Sequence, residues 1–219
     1  MKVALFGGTG FVGSYIIDEL LANKHKPKLL VREGSEKKLL QADKCEVFQG
    51  DLSDGAAVKK TISKADVVIY SIGLVREFPH RGITFQETQF DGVKQTVDIA
   101  LDCGIKKYIL VSANGAKLDG TKYQSTKYLA EEYLKHTNLD WTIFRPSLCF
   151  GDPRGGGRPE FCTQLKKDML NLPIPSPNFH TGLIPMNAGK FALSPIHIKN
   201  VAEFVVKSIE MTSATNKTY

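Results

Sequence analysis

The chain has 219 residues, enough for one domain or one domain with a small appendage, and long enough to bury a sizeable core. Its apolar share of 42% and charged share of 24% are ordinary for a globular protein, and no run approaches the length of a membrane-spanning helix. The net charge of +6 is spread out rather than gathered into a stripe, which argues against nucleic-acid binding, and the four cysteines show no C-x-x-C spacing, which argues against a zinc site or a disulfide framework.

The first apolar segment, KVALF (2–6), begins at Lys2, so no leader peptide and a cytoplasmic location are expected. A helix over 11–24 follows, then strands KLLV (28–31) and CEVFQ (45–49), a helix over 54–63 and a strand in ADVVIYSI (65–72). A helix over 84–103, strand KKYILVS (106–112), a helix over 122–137 and strand DWTIF (140–144) complete the alternation. Short apolar strands separated by helices predict βαβ units, hence an α/β fold with a doubly wound parallel sheet, a Rossmann fold. From about 146 to 196 the chain is rich in Pro and Gly and reads as loops around one helix near 159–171. A last strand in FALSPI (191–196) and a helix over IKNVAEFVVKSIE (198–210) are expected. The expected organisation is a dinucleotide-binding core over 1–150, a small irregular substrate-side elaboration over 151–190, and a returning strand and helix over 191–219 that complete the core.

Gly7, Gly10 and Gly13 follow a strand directly and open a helix. Glycine admits positive φ in such a turn and lets a pyrophosphate approach the backbone, while the helix N-terminus favours the anion. The second strand ends at Val31 and is followed by Arg32, with Lys37 and Lys38 a turn further on. A guanidinium beside the ribose suits a 2′-phosphate, so NADP(H) is expected rather than NAD(H). Glu33 argues the other way, since it could accept the ribose hydroxyls. Asp51, at the end of the third strand, could bond the adenine amino group; Asp54 or Ser53 is the competing helix cap. The expected cofactor-facing set is Gly7, Thr9, Gly10, Phe11, Val12 and Gly13 from the turn, Arg32, Asp51 and Leu52 beyond the second and third strands, and Ser71 and Gly73 beyond the fourth.

Tyr123 and Lys127 stand at i and i+4 on a predicted helix and share one face. An ammonium beside a phenol lowers its pKa and makes the tyrosine a general acid or base. Ser112, at the end of the fifth strand, could polarise a substrate carbonyl beside it. The loop over 73–87 offers Arg76, His80, Arg81 and Phe85, either to an acidic substrate or simply to solvent; His80 has no partner cluster, so no metal site is expected. GDPRGGGRPEF (151–161) reads equally as a flap over the site or as a surface loop.

The glycine turn, GDLSD, YILVSANGA, the Tyr-x-x-x-Lys pair and IFRPSLCFGDP together resemble the short-chain dehydrogenase/reductase superfamily, in its atypical and extended, epimerase/dehydratase-like members. The likeness is greatest to the group that includes the NADPH-binding accessory subunit of respiratory complex I. The resemblance implies that Gly7, Gly10 and Gly13 take the pyrophosphate and that Ser112, Tyr123 and Lys127 form a catalytic trio. It implies that Lys127 also holds the nicotinamide ribose and that Pro146 and Ser147 border the nicotinamide. Three departures stand out. Gln89 occupies a position where the family often has Asn. The stretch between Ser112 and Tyr123 lacks the tyrosine-glycine turn of sugar epimerases. The sequence given ends at NKTY (216–219), where extended members begin another strand.

The leading expectation is an NADP(H)-dependent oxidoreductase acting on a carbonyl or alcohol of a small molecule. A catalytically silent NADPH-binding structural, assembly or redox-sensing protein is the alternative; under any reading a homodimer or a subunit of a protein complex is the expected association. A sugar-nucleotide epimerase or dehydratase is the third reading, and Arg32 fits it poorly because such enzymes use bound NAD.

Overall fold

A computed structural model describes residues 1–155 and 194–219, with 157, 158, 160, 162, 163 and 166 between them. Seven strands, β1 (Lys2–Phe6), β2 (Lys26–Val31), β3 (Glu46–Gln49), β4 (Val67–Tyr70), β5 (Lys107–Val111), β6 (Asp140–Phe144) and β9 (Lys217–Thr218), form one sheet in the order β3-β2-β1-β4-β5-β6-β9. Every pairing in it is parallel. The helices are α1 (Phe11–Ala22), α2 (Gly55–Ile62), α3 (Gly92–Asp102), α4 (Lys122–Lys135) and α5 (Ile198–Lys207).

After the opening Lys2 and Lys107, β1 and β5, like β4 throughout, are continuous apolar runs because both faces of the sheet are covered. Side chains alternate across a strand. Val3 and Leu5 of β1 therefore join Ile69, Ile109, Leu20 of α1 and Val201 and Val205 of α5 in one core. Ala4 and Phe6 join Val68, Tyr70, Leu110, Val58 of α2, Val97 of α3 and Leu134 of α4 in the other. The order reverses between β1 and β4, so the chain leaves the sheet in opposite directions on either side of a crevice at their carboxyl ends.

Local signals fix the helix starts. Asp54 caps α2, its carboxylate accepting from the N–H of Ala56 (3.0 Å) and Ala57 (3.1 Å). Thr121 and Gln124 form a reciprocal capping box on α4.

The structure departs from the sequence reading in three places. The helix expected over 84–103 opens with a π-helical turn, Gln86–Asp91, before α3. Of the strand expected in FALSPI, residues 191–193 lie outside those described, and among the described residues Ile196–His197 (β8) pairs with Cys149–Phe150 (β7) in a separate two-stranded ladder rather than in the main sheet. The seventh strand is instead Lys217–Thr218, which two residues of sequence cannot signal. It is held by Tyr219 N–H donating to Ile143 C=O (2.9 Å) and Arg145 N–H donating to Tyr219 C=O (2.7 Å). The helix expected near 159–171 falls mostly outside the described residues.

Candidate functional site

The glycine turn lies at the crevice. Gly7 has φ +96°, a left-handed conformation, and a Cβ there would stand 2.9 Å from Ser71 Oγ and 3.0 Å from the Ile72 N. A Cβ on Gly13 would stand 2.1 Å from the Gly7 carbonyl oxygen, so only glycine lets α1 approach the turn this closely. Gly10, the N-cap, has an ordinary extended backbone and donates its N–H to Gly7 C=O (2.9 Å). No side chain caps α1 and no acidic residue stands in its first turn. Phe11, Val12 and Gly13 thus open a helix whose positive end faces the crevice, which fits a pyrophosphate. Ser71 borders the turn from β4, its hydroxyl donating to Phe6 C=O (2.9 Å), and Gly73 follows it.

On the β2 side, Arg32 Nε and Asp51 Oδ2 are 3.9 Å apart and both side chains are exposed. They line a cleft of about 630 Å³ with Glu33, Gln49 and Gly50. The α2 cap is Asp54, which leaves one Asp51 oxygen on the Ser53 N–H (3.3 Å) and the rest of the carboxylate toward the cleft. Leu52 is partly buried against the core beneath.

The loop after β7 crosses this region. Arg154 lies over the Tyr15 ring at 3.5 Å and pairs with Asp18 at 2.5 Å. Tyr15 Oη donates to Asp152 C=O (2.9 Å). Arg158 is 5% exposed; its Nε donates to Thr9 C=O (3.2 Å) and its Nη2 to Lys38 C=O. Asp152, Arg154 and Arg158 thereby tie the chain after β7 to α1 and the glycine turn.

Lys127 sits on the other side of the crevice, 3% exposed, with Nζ donating to Val111 C=O (3.2 Å) and Ile72 C=O (3.4 Å). A Cβ on Gly73 would be 3.7 Å from that nitrogen. Burial lowers the Lys127 pKa to about 8, and Glu131 opposes the shift. Tyr123 lies one turn earlier on α4, its ring edge-on to Phe85 at 5.5 Å. Its phenol is pushed up, first by burial and then by neighbouring Cys149, the opposite of the lowering expected from Lys127.

Ser112 is buried, and its hydroxyl donates to Glu131 Oε1 at 2.5 Å rather than standing free. Glu131, fully buried, also receives Arg145 through Nε (2.9 and 3.1 Å) and Nη2 (2.6 Å). Polarising a carbonyl with Ser112 would require its bond to Glu131 to break. Pro146 and Ser147 line a mainly apolar cavity of about 660 Å³ with Asn114, Phe144, Phe204 and Tyr219. Ser147 Oγ donates to Ser194 C=O.

Sequence reasoning assigned no role to Glu131, Arg145 or Arg158. Glu131 stands at i+4 from Lys127 on α4, a spacing that could have flagged it. Gln89, read only as a departure, is fully buried; its amide donates to Leu74 C=O (3.2 Å) and accepts from Thr126 Oγ1 (3.0 Å), tying the π turn to α4 beside Lys127. π turns are frequent at functional sites. Among the described residues no group of three His, Cys, Asp or Glu side chains could hold a metal ion, and no helix is long and apolar enough to cross a membrane.

Residues 7–168 match a family described as NAD(P)H-binding. A ceramide reductase of Caulobacter vibrioides is 30% identical over 115 residues, 52% of this chain and 35% of that one. The mitochondrial NADH dehydrogenase [ubiquinone] 1 alpha subcomplex subunit 9 of Arabidopsis thaliana is 27% identical over 225 residues, 98% of this chain and 52% of that one. The chain thus spans about half the length of these curated relatives or less. Among solved structures, Gre2 of Candida albicans, in complex with NADPH, superposes with a TM-score of 0.76 at 17% identity, covering 100% of this chain and 77% of that one. That likeness is one of fold.

Proposed function

The chain belongs to the NAD(P)H-binding family, and from that premise we propose that it binds NADP(H) in preference to NAD(H) and reduces a carbonyl, or oxidises an alcohol, of a small molecule. The observation that carries the reading is the turn Gly7–Gly13, where a Cβ at either end would clash and the α1 N-terminus is left without a side-chain cap at the sheet crevice. Arg32 at the end of β2, beside an exposed cleft, supports the phosphorylated cofactor.

When bound, the nicotinamide ring supplies or accepts the hydride. The protein's part is to position and to move a proton. The α1 N-terminus holds the pyrophosphate; Arg32 and Asp51 flank the adenosine end. In a reduction, Tyr123 Oη gives its proton to the oxygen of the substrate carbonyl as the carbon gains hydride, and the resulting phenolate is stabilised by the Lys127 ammonium. Lys127, already anchored on the Ile72 and Val111 carbonyls, is placed to hold the nicotinamide ribose. Pro146 and Ser147 wall the far side.

A second reading, a silent NADPH-binding structural or sensing protein, is favoured by the commitment of the Ser112 hydroxyl to Glu131. The Arabidopsis relative, a subunit of a larger enzyme, points the same way. Fluorescence titration with NADPH and NADH tests the shared premise: neither binding would refute the site. Turnover with a panel of aldehydes and ketones then separates the readings. The enzyme reading expects NADPH oxidation in the wild type that Tyr123→Phe abolishes while NADPH affinity stays within about twofold; no turnover, or turnover that survives the variant, overturns it.

A further inference from the structure

The two arginines of the loop after β7 are satisfied in different ways. Arg154 has a carboxylate, Asp18, at 2.5 Å, and an aromatic face, Tyr15. Arg158 has neither. Its hydrogen bonds all go to neutral backbone carbonyls: Nε to Thr9 (3.2 Å), Nη2 to Lys38, and the two N–H groups of Nη1 shared among Pro153 (3.3 Å), Arg154 (3.1 Å) and Gly155 (3.4 Å). Among the described residues no carboxylate lies within ion-pair distance of it. It is nevertheless 95% shielded from solvent. Among the described residues this buried guanidinium is bonded only to carbonyls and meets no anion, whereas buried charges are ordinarily paired.

The place of Arg158 says which anion is missing. Thr9 belongs to the glycine turn and Lys38 to the short helical turn beyond β2. Arg158 therefore bridges the phosphate turn to the segment that follows Arg32. In a doubly wound sheet, the pyrophosphate lies at the α1 N-terminus and the adenosine ribose extends from it toward the end of β2. The guanidinium stands on that path, on the ribose side. Its Nε and Nη2 form one edge of the fork, the edge that pairs two oxygens of a phosphate at once. Those two nitrogens hold Thr9 and Lys38, on the two sides of the ribose path. Nη1 is anchored separately on the loop's own carbonyls, so the fork edge can change partner while the loop keeps its hold.

We propose that Arg158 is a second, chain-distant cation for the 2′-phosphate of the adenosine ribose, acting opposite Arg32, and so a determinant of NADP(H) over NAD(H). This rests on the NADP(H) reading of the cofactor site. Arg32 and Arg158, far apart in sequence, would then clamp one phosphate from two sides. Arg158 makes the chain after β7 part of the cofactor site on this account, and neither a plain surface loop nor a substrate flap.

The test uses the full chain and four probes: NADPH, NADH, 2′,5′-ADP and 5′-AMP, with affinities from calorimetry or fluorescence. Wild type must first prefer NADPH to NADH; if it does not, the NADP(H) reading fails and this inference fails with it. Given that preference, Arg158→Gln, which keeps hydrogen-bond donors but no charge, is expected to weaken NADPH and 2′,5′-ADP by about tenfold or more. NADH and 5′-AMP should stay within about twofold, which also shows that the variant is folded. Arg158→Lys, which keeps the charge but loses the fork, should fall between. An equal loss for NADPH and NADH would move Arg158 to the pyrophosphate or to a purely structural role and overturn the assignment, and so would no loss for any probe.

Discussion

Lys127→Met should make the protein more stable at neutral pH, even though it removes a residue of the candidate active site. The reasoning starts from burial. The ammonium is 3% exposed and its pKa falls from 10.5 to about 8. Each pKa unit is about 1.4 kcal/mol of differential interaction, so keeping the charge in place below pH 8 costs about 3 kcal/mol. Methionine of similar length fills the space without a charge. The carbonyls of Ile72 and Val111 lose a donor, which offsets about 1 kcal/mol. The expected net gain at pH 7 is roughly 2 kcal/mol, or about 4–8 °C in Tm for a chain of this size. The sign with pH follows from linkage. The folded pKa lies below the unfolded one, so between about 8 and 10.5 the unfolded chain binds more protons and wild-type stability rises with pH. Below about 8 the full penalty is present; above about 10.5 it is gone. Urea melts of wild type and Lys127→Met at pH 7 and pH 10.5 read this directly, with an unchanged m-value expected. A variant that is less stable than wild type at pH 7, or a difference that does not shrink at high pH, would refute the argument that this lysine is held at the expense of stability.

Two other substitutions probe the frame of the site. Gly13→Ala places a Cβ 2.1 Å from the Gly7 carbonyl oxygen, and the contact is backbone on one side, so α1 must move away from the turn. Thermal melts should show a loss of about 1–3 kcal/mol, and dinucleotide binding should vanish; unchanged binding would mean that the turn does not touch the ligand. Arg145→Met leaves Glu131 buried with its bidentate partner gone, and urea denaturation should show a loss of about 3–5 kcal/mol. The double variant Glu131→Met with Arg145→Met should recover most of that loss, and a double variant as unstable as the single one would show that packing rather than charge decides.

Much of the architecture is legible in the chain itself. VALF (3–6), VVIY (67–70) and YILV (108–111) are unbroken apolar runs, which a sheet covered on both faces explains, and the alternation with helices makes that sheet parallel. The spacing of Gly7, Gly10 and Gly13 after the first strand announces the phosphate turn, because the requirement is local: one left-handed φ and one helix too close for a Cβ. Tyr123 and Lys127 are legible for the same reason, as neighbours one turn apart on α4.

What joins distant segments is not legible. The two-residue strand Lys217–Thr218 is defined by its pairing with the edge of β6, and Ile196–His197 by its pairing with Cys149–Phe150. Ser112 looks catalytic at a strand end, yet its hydroxyl meets Glu131, from a helix that begins ten residues later, together with Arg145 from the next strand's exit. Arg158 has no motif at all; its place between Thr9 and Lys38 is set by where the loop after β7 is pinned to α1. A sequence states periodicity and local backbone demands directly. Which buried charge meets which partner depends on contacts between residues far apart along the chain, and those are decided only when the sheet and its covering helices bring them together.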